Sequence, residues 1–317
     1  MIGGAGIWTP GCTVIGGQQN LTQLIKSLFS NNEVGFAYDP NDLTTLYRDE
    51  AGIIPVTAAG QPVGLVLDKS EGLVLGSESI VNGTFESGLQ YATKFDGNGS
   101  ASTWTLNTNQ PISGIQDGLL TVTAAGTDRP GISFTRKEGS VVGAVYELSF
   151  DYSVKSGPII LSRVYTGSGT VLLDKNLSGK GKFSIKFRST GVAFEDVVYF
   201  SRSLGVVQID NFSVKRVLGN HAYQTTSAQR PLLVANPQRL DYDTADDKLI
   251  TNLPAQLTGC TVIRAVPNVG TQILTGQTIP ATYEDNKDHC GLIVINRALT
   301  TTETNQITKL FNKAAGV

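Results

Sequence analysis

Between residues 146 and 155 the chain alternates strictly. Tyr146, Leu148, Phe150, Tyr152 and Val154 fall on one side, and Glu147, Ser149, Asp151, Ser153 and Lys155 on the other. A period of two predicts a half-buried β-strand. Phe183, Ile185 and Phe187 alternate with Lys182, Ser184, Lys186 and Arg188 in the same way, and Leu119 to Thr123, Ile159 to Tyr165, Val197 to Arg202 and Val206 to Lys215 read as further strands. Glycine-rich turns separate them, as at Gly167-Ser168-Gly169 and Gly179-Lys180-Gly181. So many short strands without helices, from about residue 79 to 217, predict a β-sandwich of jelly-roll type.

The pattern differs on either side of this stretch. Leu21, Leu24, Ile25 and Leu28 recur at i, i+3, i+4 and i+7, which predicts an amphipathic helix over about residues 18 to 30. Asp39-Pro40-Asn41-Asp42 follows as a turn, with a short helical turn expected at Leu43 to Tyr47. The last hundred residues mix strands, Thr261 to Ala265 and Gly291 to Asn296, with a terminal helix. Thr300 and Glu303 form a capping box, Ile307, Leu310, Phe311 and Ala314 make the apolar stripe, and Gly316 stands at the C-cap. No repeat of 20 to 50 residues is visible, which excludes solenoids and propellers.

Composition narrows the function. The 317 residues suffice for two domains of ordinary size. Lys plus Arg (25) nearly balance Asp plus Glu (27), so no surplus of positive charge is available for a phosphate backbone, and nucleic acid is excluded as a partner. Charged residues are 16%, under the ~25% of typical soluble domains, which leaves a surface of neutral polar side chains. Cys12, Cys260 and Cys290 are too few for a disulfide framework and are expected as free thiols. No run of apolar residues is long enough to span a bilayer, and the first residues lack a signal-peptide pattern, so a soluble product made in the cytoplasm, with no membrane insertion, is expected.

Candidate chemistry is sparse. Asp288-His289-Cys290 puts imidazole, thiol and carboxylate in sequence, but neighbours along a strand point to opposite faces, and a structural role is the stronger reading. Asp241, Asp243, Asp246 and Asp247 could hold a cation, although carboxylates in a polar turn are more often solvated. No pair of carboxylates is singled out for glycoside hydrolysis. Trp104, flanked by Thr103 and Thr105, offers a ring face for sugar stacking, with core or interface burial as the alternative; Tyr91 and Tyr165, read as loop tyrosines, are further platforms.

The run from Val34-Gly35-Phe36-Ala37-Tyr38-Asp39-Pro40-Asn41-Asp42-Leu43 through Leu46-Tyr47-Arg48-Asp49 and Gln61-Pro62-Val63-Gly64 to Leu67-Asp68-Lys69-Ser70 resembles a module of tailed-bacteriophage virion proteins. In that family the last element runs on into a Gly-Asn-His-Ala segment, which here resumes only at Gly219-Asn220-His221-Ala222, followed by Arg230-Pro231-Leu232-Leu233 and Leu240-Asp241-Tyr242-Asp243. Asn296-Arg297-Ala298-Leu299-Thr300 resembles the stretch that closes a concanavalin-like sandwich in longer relatives, although this outer part is short for a complete one. The interruption is similar to galactose-binding-like carbohydrate-binding modules at its two ends, Val81-Asn82-Gly83-Thr84-Phe85-Glu86 and Val207-Gln208-Ile209-Asp210-Asn211-Phe212-Ser213-Val214.

The resemblance implies a mainly β protein of three parts: an N-terminal arm and helix (1–32), a discontinuous β-rich outer virion-attachment domain with a C-terminal helix (33–76 plus 218–317), and an inserted jelly roll (77–217). It implies a structural calcium near Glu86 and Asp210, with no other cofactor required. It implies a non-enzymatic tail, fibre or collar subunit, found in the virion, that contacts other virion proteins and displays the insert to a host-surface glycan. A capsid decoration protein without receptor binding, or a glycan-degrading enzyme, are the alternatives. A homotrimer is expected, joined through Ile7, Trp8 and the Leu21/Leu24/Leu28 stripe.

Overall fold

The computed structural model describes residues 20–86, 91–96, 103–107, 119–124, 130–165, 170–192, 194–200, 205–243 and 245–317. Among these the fold is mainly β, with two α-helices. Four larger antiparallel sheets fall into two bodies.

The outer body is built on a four-stranded sheet in the order Gly35–Tyr38, Leu292–Ile295, Leu257–Val266, Gly270–Ile279. Gly35–Tyr38 and Leu292–Ile295 are buried on both sides, so alternation there sorts two kinds of apolar residue rather than apolar from polar, whereas the edge strand Gly270–Ile279 is largely exposed. Ala37, Ile263, Ala265, Ile293 and Ile295 face helices α1 (Leu21–Leu28) and α2 (Thr301–Ala315). Phe36, Tyr38, Leu292 and Val294 face the other way and pack against a second sheet of short strands: Leu46–Tyr47, Leu65–Val66, Ala222–Tyr223, Leu249–Asn252 and Thr282–Asp285. The outcome is helices, sheet and sheet in three layers, in place of the two-layer concanavalin arrangement.

Both helices carry the caps their sequences encode. Asn20 and Gln23 form a capping box on α1, Thr300 and Glu303 another on α2, and Gly316 closes α2 in the left-handed conformation at φ 84°. Leu24 and Leu28 are fully buried against this chain's own sheet and α2, which corrects the expectation that their stripe joins subunits. Ile7, Trp8 and Cys12 lie outside the described residues. No helix is long and apolar enough to cross a membrane among the described residues.

The second body is a sandwich. One sheet runs Thr170–Leu177, Ile159–Tyr165, Glu195–Phe200, Pro130–Thr135, Ala92–Asp96; the other runs Lys180–Arg188, Val145–Ser156, Gly205–Val217, Leu119–Ala124, Thr103–Asn107, with Leu75–Glu78 added against Gly205–Val217. Their inner rows supply one core in which Phe134 and Phe212 stack at 3.6 Å between ring centroids and Phe85, Phe150, Phe183 and Phe187 surround them. The strict alternation of residues 146 to 155 is realised in the strand Val145–Ser156.

The bodies meet at a mixed contact. Leu65 and Leu67 of the outer body are buried with Val145 and Val217 of the sandwich. Arg188 donates to Glu50 at 2.8 Å, and its guanidinium lies 3.5 Å from the centre of the Tyr223 ring. Ile53 reaches from the outer body into the sandwich core.

Candidate functional site

The motifs on either side of the interruption converge on one buried carboxylate. Asp68 accepts hydrogen bonds from the backbone N–H of Ala37, Ser70 and Asn220 at 2.7, 2.8 and 2.7 Å and from the Ser70 hydroxyl at 2.7 Å. The Asp68 N–H in turn donates to His221 Nδ1 at 2.9 Å. Burial pushes the Asp68 carboxyl up to about 6 against the pull of its donors, and burial holds the His221 imidazole down at about 4. Beside them Lys69 pairs with Asp39 at 3.2 Å and Asp42 at 2.8 Å. This cluster fastens chain to chain; its groups are saturated and turned inward.

The Asp288-His289-Cys290 stretch separates as alternation requires. Cys290 joins the helix-side core, where burial raises its thiol to about 11. His289, fully buried, lies under Tyr242 with Nε2 3.0 Å from Asp285 Oδ2, too obliquely for a good hydrogen bond. Arg264 donates to Asp285 at 2.7 Å and Tyr242 donates at 3.0 Å. Burial would raise the Asp285 carboxyl, but Arg264 and His289 outweigh it and hold it at about 2. No nucleophile faces a base here, so the network is structural.

Asp243, Asp246 and Asp247 come within 4.8 Å of one another, but Asp243 Oδ1 already accepts the N–H groups of Ala245, Asp246 and Asp247, and Asp241 pairs with Arg239 at 2.8 Å. Their proximity is explained by the turn. Glu86 is exposed at the end of the 82–86 turn, while Asp210 is nearly buried on the last sandwich strand. The Phe212 N–H donates to the Gly83 carbonyl at 2.9 Å, so the two nominated carboxylates belong to neighbouring segments.

The remaining candidate lies on the outer face of the sandwich sheet that contains Pro130–Thr135 and Glu195–Phe200. Ile132, Phe134, Val164, Val198 and Phe200 point into the core, which leaves Gly131, Ser133, Val197 and Tyr199 on the outer face. Cross-strand register places Arg163 opposite Tyr199, Tyr165 opposite Val197, Thr93 opposite Ser133 and Phe95 opposite Gly131 on that same face. The register shift between Leu161 and Arg163 is a β-bulge that pairs Arg163 with Tyr199 and Tyr165 with Val197. Tyr91 adjoins this face at its edge, where its carbonyl accepts the Thr135 N–H at 3.1 Å, and its side chain is 37% exposed.

One close approach shapes the middle. A Cβ on Gly131 would stand 2.6 Å from Tyr199 Cδ1 and 2.7 Å from Cε1, so the tyrosine ring rests on the glycine and has room only because that residue lacks a side chain. Ser133 and Val197 are 1% and 4% exposed although they point away from the core, so the centre of the face is walled in rather than flat. The partly exposed Tyr199 ring can stack on the apolar face of a flat polar ligand.

Tyr165 ends a strand in place of the loop expected, while Tyr91 lies in the turn that precedes Ala92–Asp96, as expected. Trp104 sits opposite Val122, a core residue, so the register places its position on the inward face of the six-stranded sheet; the side chains of Trp104 and Tyr165 lie outside the described residues. Sequence reasoning missed Tyr199. Its signal, an alternating Val197-Val198-Tyr199-Phe200 run, does not reveal the glycine beneath it.

A comparison with protein-family models gives no match, and neither does a comparison with curated protein sequences. Among solved structures the chain is similar to the enzymatically active domain of bacteriophage CBA120 tailspike protein 4, at 13% identity and TM-score 0.36 over 44% of this chain and 21% of that one. It is similar to the CBM22-1 xylan-binding domain of Paenibacillus barcinonensis Xyn10C, at 14% identity and TM-score 0.33 over 46% of this chain and 96% of that one. It is also similar to TmCBM61, solved with β-1,4-galactotriose, at 16% identity and TM-score 0.34 over 44% of this chain and 99% of that one.

Proposed function

We propose that the protein is a non-enzymatic component of a tailed-phage particle, in which residues 33–76 plus 218–317 attach to neighbouring virion proteins and the 77–217 sandwich binds a host-surface glycan. The observation that carries the glycan reading is the partly exposed Tyr199 ring seated on Gly131 on the outer sheet face. The attachment reading is supported by the meeting of Ala37, Asp68, Asn220 and His221, which come from the segments that resemble phage virion modules. Tyr199 is the platform, with Tyr165 and Tyr91 beside it. A structural calcium at Glu86 and Asp210 would stiffen the turn that packs against Phe212, with further oxygens drawn from the same turn.

Binding of the full chain to a glycan array, repeated in calcium and in chelator, tests this. Tyr199→Ala should weaken binding roughly tenfold or more, as loss of one aromatic platform does. Gly131→Val, which displaces the ring, should do the same, and Trp104→Ala serves as the contrast from the inward row. Binding unchanged by Tyr199→Ala and Gly131→Val would defeat the platform; labelled antibody found away from the particle would defeat attachment.

A further inference from the structure

We propose that the outer face of the sandwich sheet containing Lys180–Arg188 and Val145–Ser156 carries a lysine-lined surface for an acidic polysaccharide, centred on Lys155, Lys180 and Lys182. The inference rests on the reading of the sandwich as the glycan-binding body and adds the chemical class of the polymer. The chain as a whole carries a formal charge of -2, yet residues 175–188 hold Lys175, Lys180, Lys182, Lys186 and Arg188 and no acid. One sign concentrated in a chain of balanced charge sets up a local positive field.

Strand alternation brings these cations to one face. On Lys180–Arg188 the side chains of Phe183 and Phe187 enter the core, so Lys180, Lys182, Ser184 and Lys186 stand outside. On the neighbouring strand Tyr146, Leu148 and Phe150 go inward, which leaves Glu147, Asp151, Ser153 and Lys155 on the same outer face. The register sets Lys180 opposite Ser153 and Lys182 opposite Asp151. The Val154 N–H donates to the Gly179 carbonyl at 2.8 Å, so the pairing runs on past Lys180 and Lys155 comes to its diagonal. Diagonal and next-but-one positions on a sheet face lie about 7 Å apart, within reach of long side chains.

Charge complementarity selects the occupant. Lys186 pairs with Glu147 at 3.2 Å, and Lys215, on the next strand, with Glu78 at 3.9 Å. Lys155, Lys180 and Lys182 are exposed, and among the described residues none of the three has a carboxylate partner. Asp151, opposite Lys182, is engaged instead by Asn211 Nδ2 at 3.0 Å. Lysines on an outermost strand guard it against pairing with other chains, but Lys155 lies one strand further in, where that role has no use. The aromatic side chains of both strands point inward, so the face offers no ring on which a nucleobase could stack. What remains is a set of point charges with the exposed Ser184 hydroxyl beside them, which matches a hydroxylated polymer bearing anionic groups along its length.

Affinity electrophoresis of the full chain in gels cast with polygalacturonate tests the proposal, with the fully methyl-esterified polymer as the neutral counterpart and a polymer-free gel as the reference. The wild type should be retarded by the acidic polymer and not by the ester, and added salt should remove the retardation by screening. Lys155→Gln, Lys180→Gln and Lys182→Gln combined should weaken binding roughly tenfold or more, since several exposed pairs act together. Lys26→Gln, Lys309→Gln and Lys313→Gln combined, which remove the same charge from exposed helix positions of the outer body, should leave it unchanged. No retardation by polygalacturonate, equal retardation by its ester, equal loss in the two triple variants, or equal binding of a double-stranded DNA fragment would overturn the proposal. Tyr199→Ala separates this surface from the platform on the other sheet, and should leave polygalacturonate binding intact. Array binding lost in Tyr199→Ala but indifferent to the lysines, with no polymer binding, overturns the lysine surface alone; polymer binding through the lysines with array signals indifferent to Tyr199 overturns the platform and supports this surface.

Discussion

The central sheet of the outer body is apolar on both faces, whereas each sandwich sheet is apolar inside and polar, glycine-bearing or recessed outside. The first is a scaffold whose inner strands have helices on one side and a second sheet on the other, with its edge strand Gly270–Ile279 largely exposed. The second leaves two sheet faces for a ligand or a partner. Each body nevertheless buries an arginine–aspartate pair, and the two pairs do different work. Arg264–Asp285 sits inside the scaffold with His289 and Tyr242 around it, while Arg136–Asp196 lies directly under exposed loops. A buried pair is weak evidence of net stability, but removing one partner strands a charge.

That contrast can be broken at its strongest point. Arg264→Met should cost about 3–5 kcal/mol, because the buried Asp285 carboxylate would lose its guanidinium partner. Chemical denaturation should show the loss in the outer body, and the sandwich, followed by hydrogen exchange of Val145–Ser156, should keep its protection. Equal loss of protection in both bodies would show that they are one cooperative unit.

A second test uses pH. The His221 imidazole sits at about 4 in the fold against 6.5 for the free group, so its contribution is full above 6.5 and is lost as pH falls through 4. Asp68 has the opposite sign: at about 6 against 3.8, its contribution is full below 3.8 and is lost as pH rises through 6. Each is worth about 3 kcal/mol at ~1.4 kcal/mol per unit, so the two nearly offset between pH 4 and 6. Asp68→Asn should therefore expose a protein that weakens on acidification, and His221→Gln one that strengthens; melting curves at pH 4, 5 and 6 read both slopes. Parallel slopes in the two variants would rule the pairing out.

The smallest expected effect lies between the bodies. Arg188→Ala removes the ion pair with Glu50 and the stacking on Tyr223, together worth about 1–2 kcal/mol at a half-buried site. Hydrogen exchange at residues 50–53 and 222–223 should rise while both cores stay protected. No change there would mean that Leu65, Leu67, Val145 and Val217 hold the contact alone.

Local signals were legible in the sequence. Thr300, Glu303 and Gly316 lie within one helix and define its ends, and the alternation of 146 to 155 identifies its strand without knowledge of any neighbour. Signals that depend on partners were not. The Leu21/Leu24/Leu28 stripe correctly predicts a helix, yet a stripe does not say whether its partner is the same chain or another. Simple alternation would put Tyr165 on the side of Ile159 and Leu161; the bulge after Leu161 reverses it. Tyr199 and Gly131 are 68 residues apart, and only strand pairing brings ring onto glycine.

The fastening of Asn220 to Asp68 has a consequence for the order of folding. That hydrogen bond spans 152 residues of chain, and closing so long a loop costs about 4–5 kcal/mol of chain entropy. Where the sandwich is already formed, Lys215 is paired with Glu78, and the gap left to close shrinks to about 15 residues, which lowers that cost by about 2 kcal/mol. A sandwich already formed would therefore lower the entropic cost of bringing Gly219, Asn220 and His221 to the Asp68 carboxylate.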